Sequence, residues 1–128
     1  MVIIFVLPFL SLLAVALAGT VTYDWSIDYV TAAPDGFSRQ VIGINGAWPC
    51  PPLKASVGDT VVVNVKNNLG TESTGIHFHG LRMYGTQFMD GPTGVTQCPI
   101  PPGATLTYTF LVSCIWKIAS FEANGSID

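Results

Sequence analysis

The chain has 128 residues, the size of one domain, and its eight acidic and five basic residues give a net charge of −3. So few basic residues exclude the positive surface that nucleic acids require, and we expect no nucleic-acid partner. Nearly half of the residues are hydrophobic, which is enough for a single small core.

The chain begins with an apolar segment, residues 1–18, interrupted only by Pro8 and Ser11. It ends in Ala16-Leu17-Ala18, a small-x-small cleavage pattern. This arrangement predicts a secretory signal peptide over residues 1–18 and a secreted or cell-surface protein. A membrane anchor is the alternative, because the segment is close to the shortest length that spans a bilayer.

The next segment alternates apolar and polar residues from Val21 to Tyr29, which predicts a half-buried strand. Four further strands are predicted from short apolar runs between Gly- and Pro-rich turns. These runs cover residues 40–44, 60–66, 76–81 and 105–112. No helical periodicity appears between residues 19 and 112, so the sequence predicts an all-β sandwich or barrel.

The two histidines of the chain stand together in His77-Phe78-His79-Gly80. In a strand, residues two positions apart point to the same face, so both imidazoles would reach one place. Imidazole binds copper, zinc, iron and nickel, and the pair therefore indicates part of a transition-metal site. Two ligands do not close such a site. The alternative is a pair of partly exposed strand histidines with no ligand.

Three motifs follow one another at a distinctive spacing. They are Ile76-His77-Phe78-His79-Gly80-Leu81, Met89-Asp90-Gly91-Pro92 and Thr96-Gln97-Cys98-Pro99-Ile100. Together they resemble the first cupredoxin (plastocyanin-like) domain of a multicopper oxidase of the fungal laccase or iron-transport ferroxidase type. The resemblance implies a cupredoxin-like Greek-key β-sandwich over residues 19–112.

The resemblance also implies an oxidoreductase that couples oxidation of a phenolic or Fe(II) substrate to reduction of oxygen to water. Its cofactor is copper, with type 2 and type 3 centres shared between domains. His77 matches the type 2 ligand and His79 a type 3 ligand. Asp90 matches a carboxylate that assists proton delivery, and Cys98 matches a cysteine that pairs with one in a later domain.

The resemblance is lost at Ser113, where the family continues toward a second histidine pair. We expect residues 113–128 to be a divergent tail of a truncated product, and the sandwich to be incomplete at its C-terminal end. By itself the chain would then lack most copper ligands and be inactive as an oxidase. The alternative is a non-catalytic single cupredoxin domain with weak or no copper binding.

Other interpretations of these residues stay open or are excluded by the sequence. Asp90 precedes a glycine, and Asp-Gly favours turns, so a purely structural role is the alternative there. A one-domain blue-copper carrier needs a histidine soon after a cysteine, and none follows Cys98 or Cys114. These cysteines and Cys50 make an odd number, so at least one has no partner within the chain.

Overall fold

The computed structural model describes residues 18–113, which form a β-structure with four strands. The strands are β1 (Thr20–Ala32), β2 (Arg39–Ile44), β3 (Thr60–Asn67) and β4 (Thr105–Leu111), and one 3₁₀ turn spans Gln87–Met89. The all-β prediction is confirmed, and four of the five predicted strands are present. The predicted signal peptide up to residue 17 and the predicted tail from residue 114 lie outside the described residues. Within residues 18–113, no helix is long and apolar enough to cross a membrane.

The four strands form one sheet in the order β2-β1-β3-β4. β1 pairs antiparallel with β2 and parallel with β3, and β4 completes the sheet antiparallel to β3. Side chains on the outer face bond across the strands. Asn64 donates to Asp24 Oδ1 at 2.8 Å and accepts from Thr107 Oγ1 at 2.7 Å. The outer face is therefore polar, as strands with one solvated face require.

The inner face of the sheet carries the hydrophobic core, because alternate residues of each strand point to it. Loop segments, mainly the one between β3 and β4, cover this face in place of a second sheet among the described residues. The buried core side chains are Trp25, Ile27, Ile44, Leu53, Val61, Val63, Val65, Leu69, Ile76, Phe78, Met83, Ile100, Tyr108, Phe110 and Val112. The core is thus a sandwich of one sheet and one irregular layer.

Two expectations from the sequence are wrong in detail. Tyr29 is 39% exposed although the alternation predicted it on the buried face, because β1 pairs with β3 only as far as Ile27. The predicted strand over residues 76–81 is a loop. Its Phe78 N–H donates to Asp90 O, and Leu81 N–H closes a turn onto Phe78 O. These two donors are therefore not available to a neighbouring strand, and no strand is present over residues 76–81.

Asp59, which immediately precedes β3, joins three parts of the chain. Its Oδ2 accepts the Ser56 N–H at 2.7 Å and its Oδ1 accepts the Gly19 N–H at 2.9 Å. Its backbone carbonyl also accepts the N–H of Val112, the residue that follows β4. The bonds from Ser56 and then Gly19 hold the pKa of Asp59 below its ordinary value of 3.8, because both favour the ionised carboxylate.

The lowered pKa of Asp59 gives this group's contribution to stability a defined pH dependence. The contribution is complete above the ordinary pKa and is lost as pH falls through the lowered folded-state value. We expect Asp59→Asn to unfold more easily than the wild type at neutral pH, with the difference closing below about pH 4. Denaturant unfolding at several pH values measures this.

The control for this experiment is Asp35→Asn, which removes a carboxylate paired with Arg39 at 2.9 Å on the surface. Exposed ion pairs contribute little to stability, so this variant should stay close to the wild type. A gap between wild type and Asp59→Asn that persists unchanged at low pH would contradict the assignment.

Candidate metal centre

The two histidines lie side by side although their segment is not a strand. The centroids of the His77 and His79 rings are 5.4 Å apart, and the rings meet edge to face at 87°. Phe78 between them is buried and packs on Tyr108 and Phe110, with ring centroids 5.1 and 4.8 Å away. Burial of Phe78 therefore anchors the segment and turns both imidazoles away from the core. The structure brings them together as the spacing predicted.

His77 is held by the main chain of Asp90. Its Nδ1 lies 2.9 Å from the Asp90 carbonyl oxygen, and because a carbonyl can only accept, Nδ1 carries the proton. The lone pair of Nε2 is then available to a metal. Metal-binding histidines commonly donate their second ring nitrogen to a carbonyl or carboxylate, which fixes the tautomer and the ring orientation.

Asp90 combines a turn position with a place beside His77. Its backbone N–H closes the 3₁₀ turn onto Gln87 O, and its carbonyl accepts from both Phe78 and His77. Its carboxylate Oδ1 lies 3.6 Å from His77 Nδ1, which is too far for a hydrogen bond but close enough for electrostatic interaction. The turn interpretation and the functional interpretation of Asp90 are therefore compatible.

Gly91 permits the close approach of the Asp90 loop to the histidine segment, a role that the sequence pattern did not predict. A Cβ atom on Gly91 would lie 1.7 Å from the Ile76 carbonyl oxygen, and its φ of +97° is a value that other residues rarely adopt. Its N–H donates to Thr96 Oγ1 at 3.2 Å. The signal that could have revealed it is the Asp-Gly-Pro sequence, since such a glycine often marks a close backbone contact.

The two imidazoles fit copper in chemistry but are too few to enclose it. Neutral imidazole is a good copper ligand. Yet residues 18–113 contain no group of three or more His, Cys, Asp or Glu side chains that could hold a metal ion. Cys50 and Cys98 are both free thiols, and burial raises the pKa of Cys50. The described residues therefore offer two adjacent imidazoles and no larger cluster of candidate ligands.

Comparison with known proteins identifies the family. A family model described as multicopper oxidase matches residues 26–117. The chain is 53% identical over 98 residues to the iron transport multicopper oxidase of Epichloe festucae, covering 76% of this chain and 16% of that protein. It is 50% identical over 91 residues to Laccase-1 of Cryptococcus neoformans var. grubii, covering 71% of this chain and 14% of that protein.

Solved structures agree. The laccase of Botrytis aclada superposes with a TM-score of 0.70 at 45% identity over 74% of this chain and 18% of the laccase. Fet3p, a multicopper oxidase that functions in iron import, gives a TM-score of 0.68 at 41% identity over 73% of this chain and 18% of Fet3p. The chain belongs to the multicopper oxidase family, its cupredoxin-like β fold is confirmed, and family membership implies copper. It spans 16% of the Epichloe protein.

The close approach of Gly91 to the Ile76 carbonyl oxygen leads to a stability prediction. Gly91→Ala should destabilise the fold by about 3 kcal/mol or more, because the new methyl group collides with a backbone oxygen that cannot rotate away. Chemical denaturation with tryptophan fluorescence measures the change.

Gly94→Ala is the matched control. Gly94 also has a positive φ, +77°, but nothing lies within 4 Å of the position that its Cβ would occupy. It should lose only the cost of the left-handed backbone, about 1–2 kcal/mol. Equal losses in the two variants would show that the contact with Ile76 is not the cause.

Proposed function

We propose that this chain is the first copper-binding domain of a multicopper oxidase. In this proposal His77 binds the type 2 copper and His79 binds a type 3 copper, and the parent enzyme reduces oxygen to water. The observation that carries the proposal is the imidazole pair itself. The rings lie 5.4 Å apart, and a main-chain carbonyl holds the Nδ1 proton of His77.

Each residue of the site has a separate task in this proposal. Copper, when bound, supplies the electron transfer that couples substrate oxidation to oxygen reduction. The Asp90 carbonyl keeps the His77 ring in one tautomer and leaves the Nε2 lone pair available to the metal. The Asp90 side chain exchanges protons with solvent in this proposal, and its 30% exposure beside His77 supports that role. A parent enzyme whose turnover was unchanged by Asp90→Asn would contradict that role.

The substrate of the parent enzyme is proposed at the level of two classes, a phenol or Fe(II). The names of the relatives support both, since they include iron transport multicopper oxidases and laccases. Cys98 is exposed, and we include in the proposal a disulfide from Cys98 to a later domain. Mass spectrometry of a non-reduced digest of the parent enzyme would test this pairing.

The isolated chain is proposed to be inactive as an oxidase. It contains two histidines in all, and two imidazoles do not hold the three copper ions of the oxygen-reducing cluster. The second candidate function is a non-catalytic single cupredoxin domain with weak or no copper binding. The lack of a three-ligand cluster among residues 18–113 favours that candidate for the chain by itself.

Copper titration of the purified chain tests the site. We expect weak binding of one Cu(II) ion, and at least about tenfold weaker binding in His77→Ala and in His79→Ala, because each loses half of the imidazole pair. Isothermal calorimetry measures the affinity, and an oxygen electrode with a phenol or Fe(II) should show no enzymatic oxygen uptake.

Asp90→Asn is the matched control for this titration. It keeps the main-chain carbonyl that orients His77 and changes only the carboxylate, so copper affinity should stay close to that of the wild type. Loss of binding in Asp90→Asn would make the carboxylate a ligand. Equal binding by wild type and both histidine variants would refute the site, and sustained oxygen uptake would refute the proposed inactivity.

We also propose that the protein is secreted after removal of residues 1–18. The apolar stretch and the Ala16-Leu17-Ala18 pattern support this. Expression of the full chain in a fungal host should release a product whose amino-terminal sequence starts at Gly19. Recovery of uncleaved chain from the membrane fraction would instead favour the anchor.

A further inference from the structure

The buried side chain of Tyr108 connects the core to the histidine segment. Tyr108 is fully buried in β4, and its ring meets Phe78 edge to face at 5.1 Å. Its hydroxyl accepts the Gln97 Nε2–H at 2.9 Å and, at a longer 3.4 Å, the Ile76 backbone N–H. One side chain therefore contacts both residues that flank His77 in the sequence.

The loop that supplies Gln97 also holds the other side of the site. Thr96, the residue before it, accepts the Gly91 N–H through Oγ1 at 3.2 Å. Gly91 follows Asp90, whose carbonyl binds the His77 ring. Two consecutive loop residues thus support the histidine segment. Thr96 does so by accepting from Gly91, next to Asp90, and Gln97 does so by donating to Tyr108.

Burial keeps the Tyr108 hydroxyl in one chemical state. It raises the pKa of Tyr108 above its ordinary value of 10.0, so the group stays a neutral phenol near neutral pH. A neutral hydroxyl in a low-dielectric site makes hydrogen bonds that solvent does not compete for. The neutral hydroxyl is therefore able to accept from both Gln97 and Ile76.

We propose that Gln97 and Tyr108 are positioning residues that set the orientation of the His77 and His79 rings, acting through Ile76 and Phe78. The consequence for copper affinity rests on the proposed function, whereas the ring orientation is a property of the metal-free chain. Partners of this kind, one contact removed from the ligands, determine how well a ligand pair is prepared for its metal.

The test compares Tyr108→Phe and Gln97→Met with the wild type in the metal-free state. Both variants remove one side of the hydrogen bond and keep the size of the side chain. Because the chain has two histidines, every imidazole signal in a long-range ¹H–¹⁵N spectrum comes from this site. At about pH 8, where imidazole is neutral, the wild type should show the Nδ1–H tautomer for His77.

In both variants we expect the His77 signals to move toward those of freely exchanging tautomers and copper affinity to fall about tenfold. The matched control is Tyr23→Phe. The Tyr23 hydroxyl also makes two hydrogen bonds, donating to Lys54 O at 2.6 Å and accepting from Lys54 N–H at 2.8 Å. It loses comparable contacts away from the site, so its imidazole spectrum and copper affinity should match the wild type.

Imidazole spectra of Tyr108→Phe and Gln97→Met that coincide with those of the wild type and Tyr23→Phe would overturn the inference. If Tyr108→Phe does not fold, Gln97→Met carries the same test, because it leaves the buried ring in place. Displaced imidazole signals in a chain that binds no copper would support the positioning role and refute the proposed function instead.

Discussion

The arrangement of the site depends on one carbonyl group, that of Asp90. It accepts the backbone N–H of Phe78 and the ring N–H of His77 together. The first bond joins two loop segments, and the second selects the tautomer of a candidate ligand. Because both bonds end on the same oxygen, the path of the loop and the orientation of the imidazole cannot vary independently. Because both bonds end on a main-chain oxygen, they do not use the side chain of Asp90. The Asp90 carboxylate is therefore left available for other chemistry.

The sequence was most informative where apolar residues alternate or cluster. The valines of β3 and the alternation in β4 placed these strands within a residue of their observed ends, because one buried face imposes a period of two. The strand prediction failed over residues 76–81, although their composition is typical of a strand. There the backbone donors are taken by Asp90 and by a local turn, and a partner that is distant in sequence leaves no periodic signal.

The sequence predicted three residues of the candidate site and missed two others. His77 and His79 were found because they are two residues apart, and Asp90 because its motif resembles that of a known family. The roles inferred for Gly91 and Tyr108 come from contacts alone. Gly91 approaches the Ile76 carbonyl more closely than any side chain permits, and Tyr108 contributes through a hydroxyl at the end of a core ring. Neither contact could be deduced from spacing, since each joins segments whose separation is set by the fold.

The hydrogen bonds from Asn64 to Asp24 and from Thr107 to Asn64, on the outer face of the sheet, have a chemical consequence. Asn64 gives its amide N–H to Asp24 and its amide oxygen receives the hydroxyl hydrogen of Thr107. The two ends of the amide are therefore distinguished by Asp24. Rotating the group by half a turn would set the amide oxygen against the Asp24 carboxylate, whereas the Thr107 hydroxyl can accept as well as donate. An aspartate in this place would face a second carboxylate, and a leucine would satisfy neither neighbour. Asn64 therefore holds a chain of hydrogen bonds with one direction, from the Thr107 hydroxyl on β4 through the amide to the Asp24 carboxylate on β1.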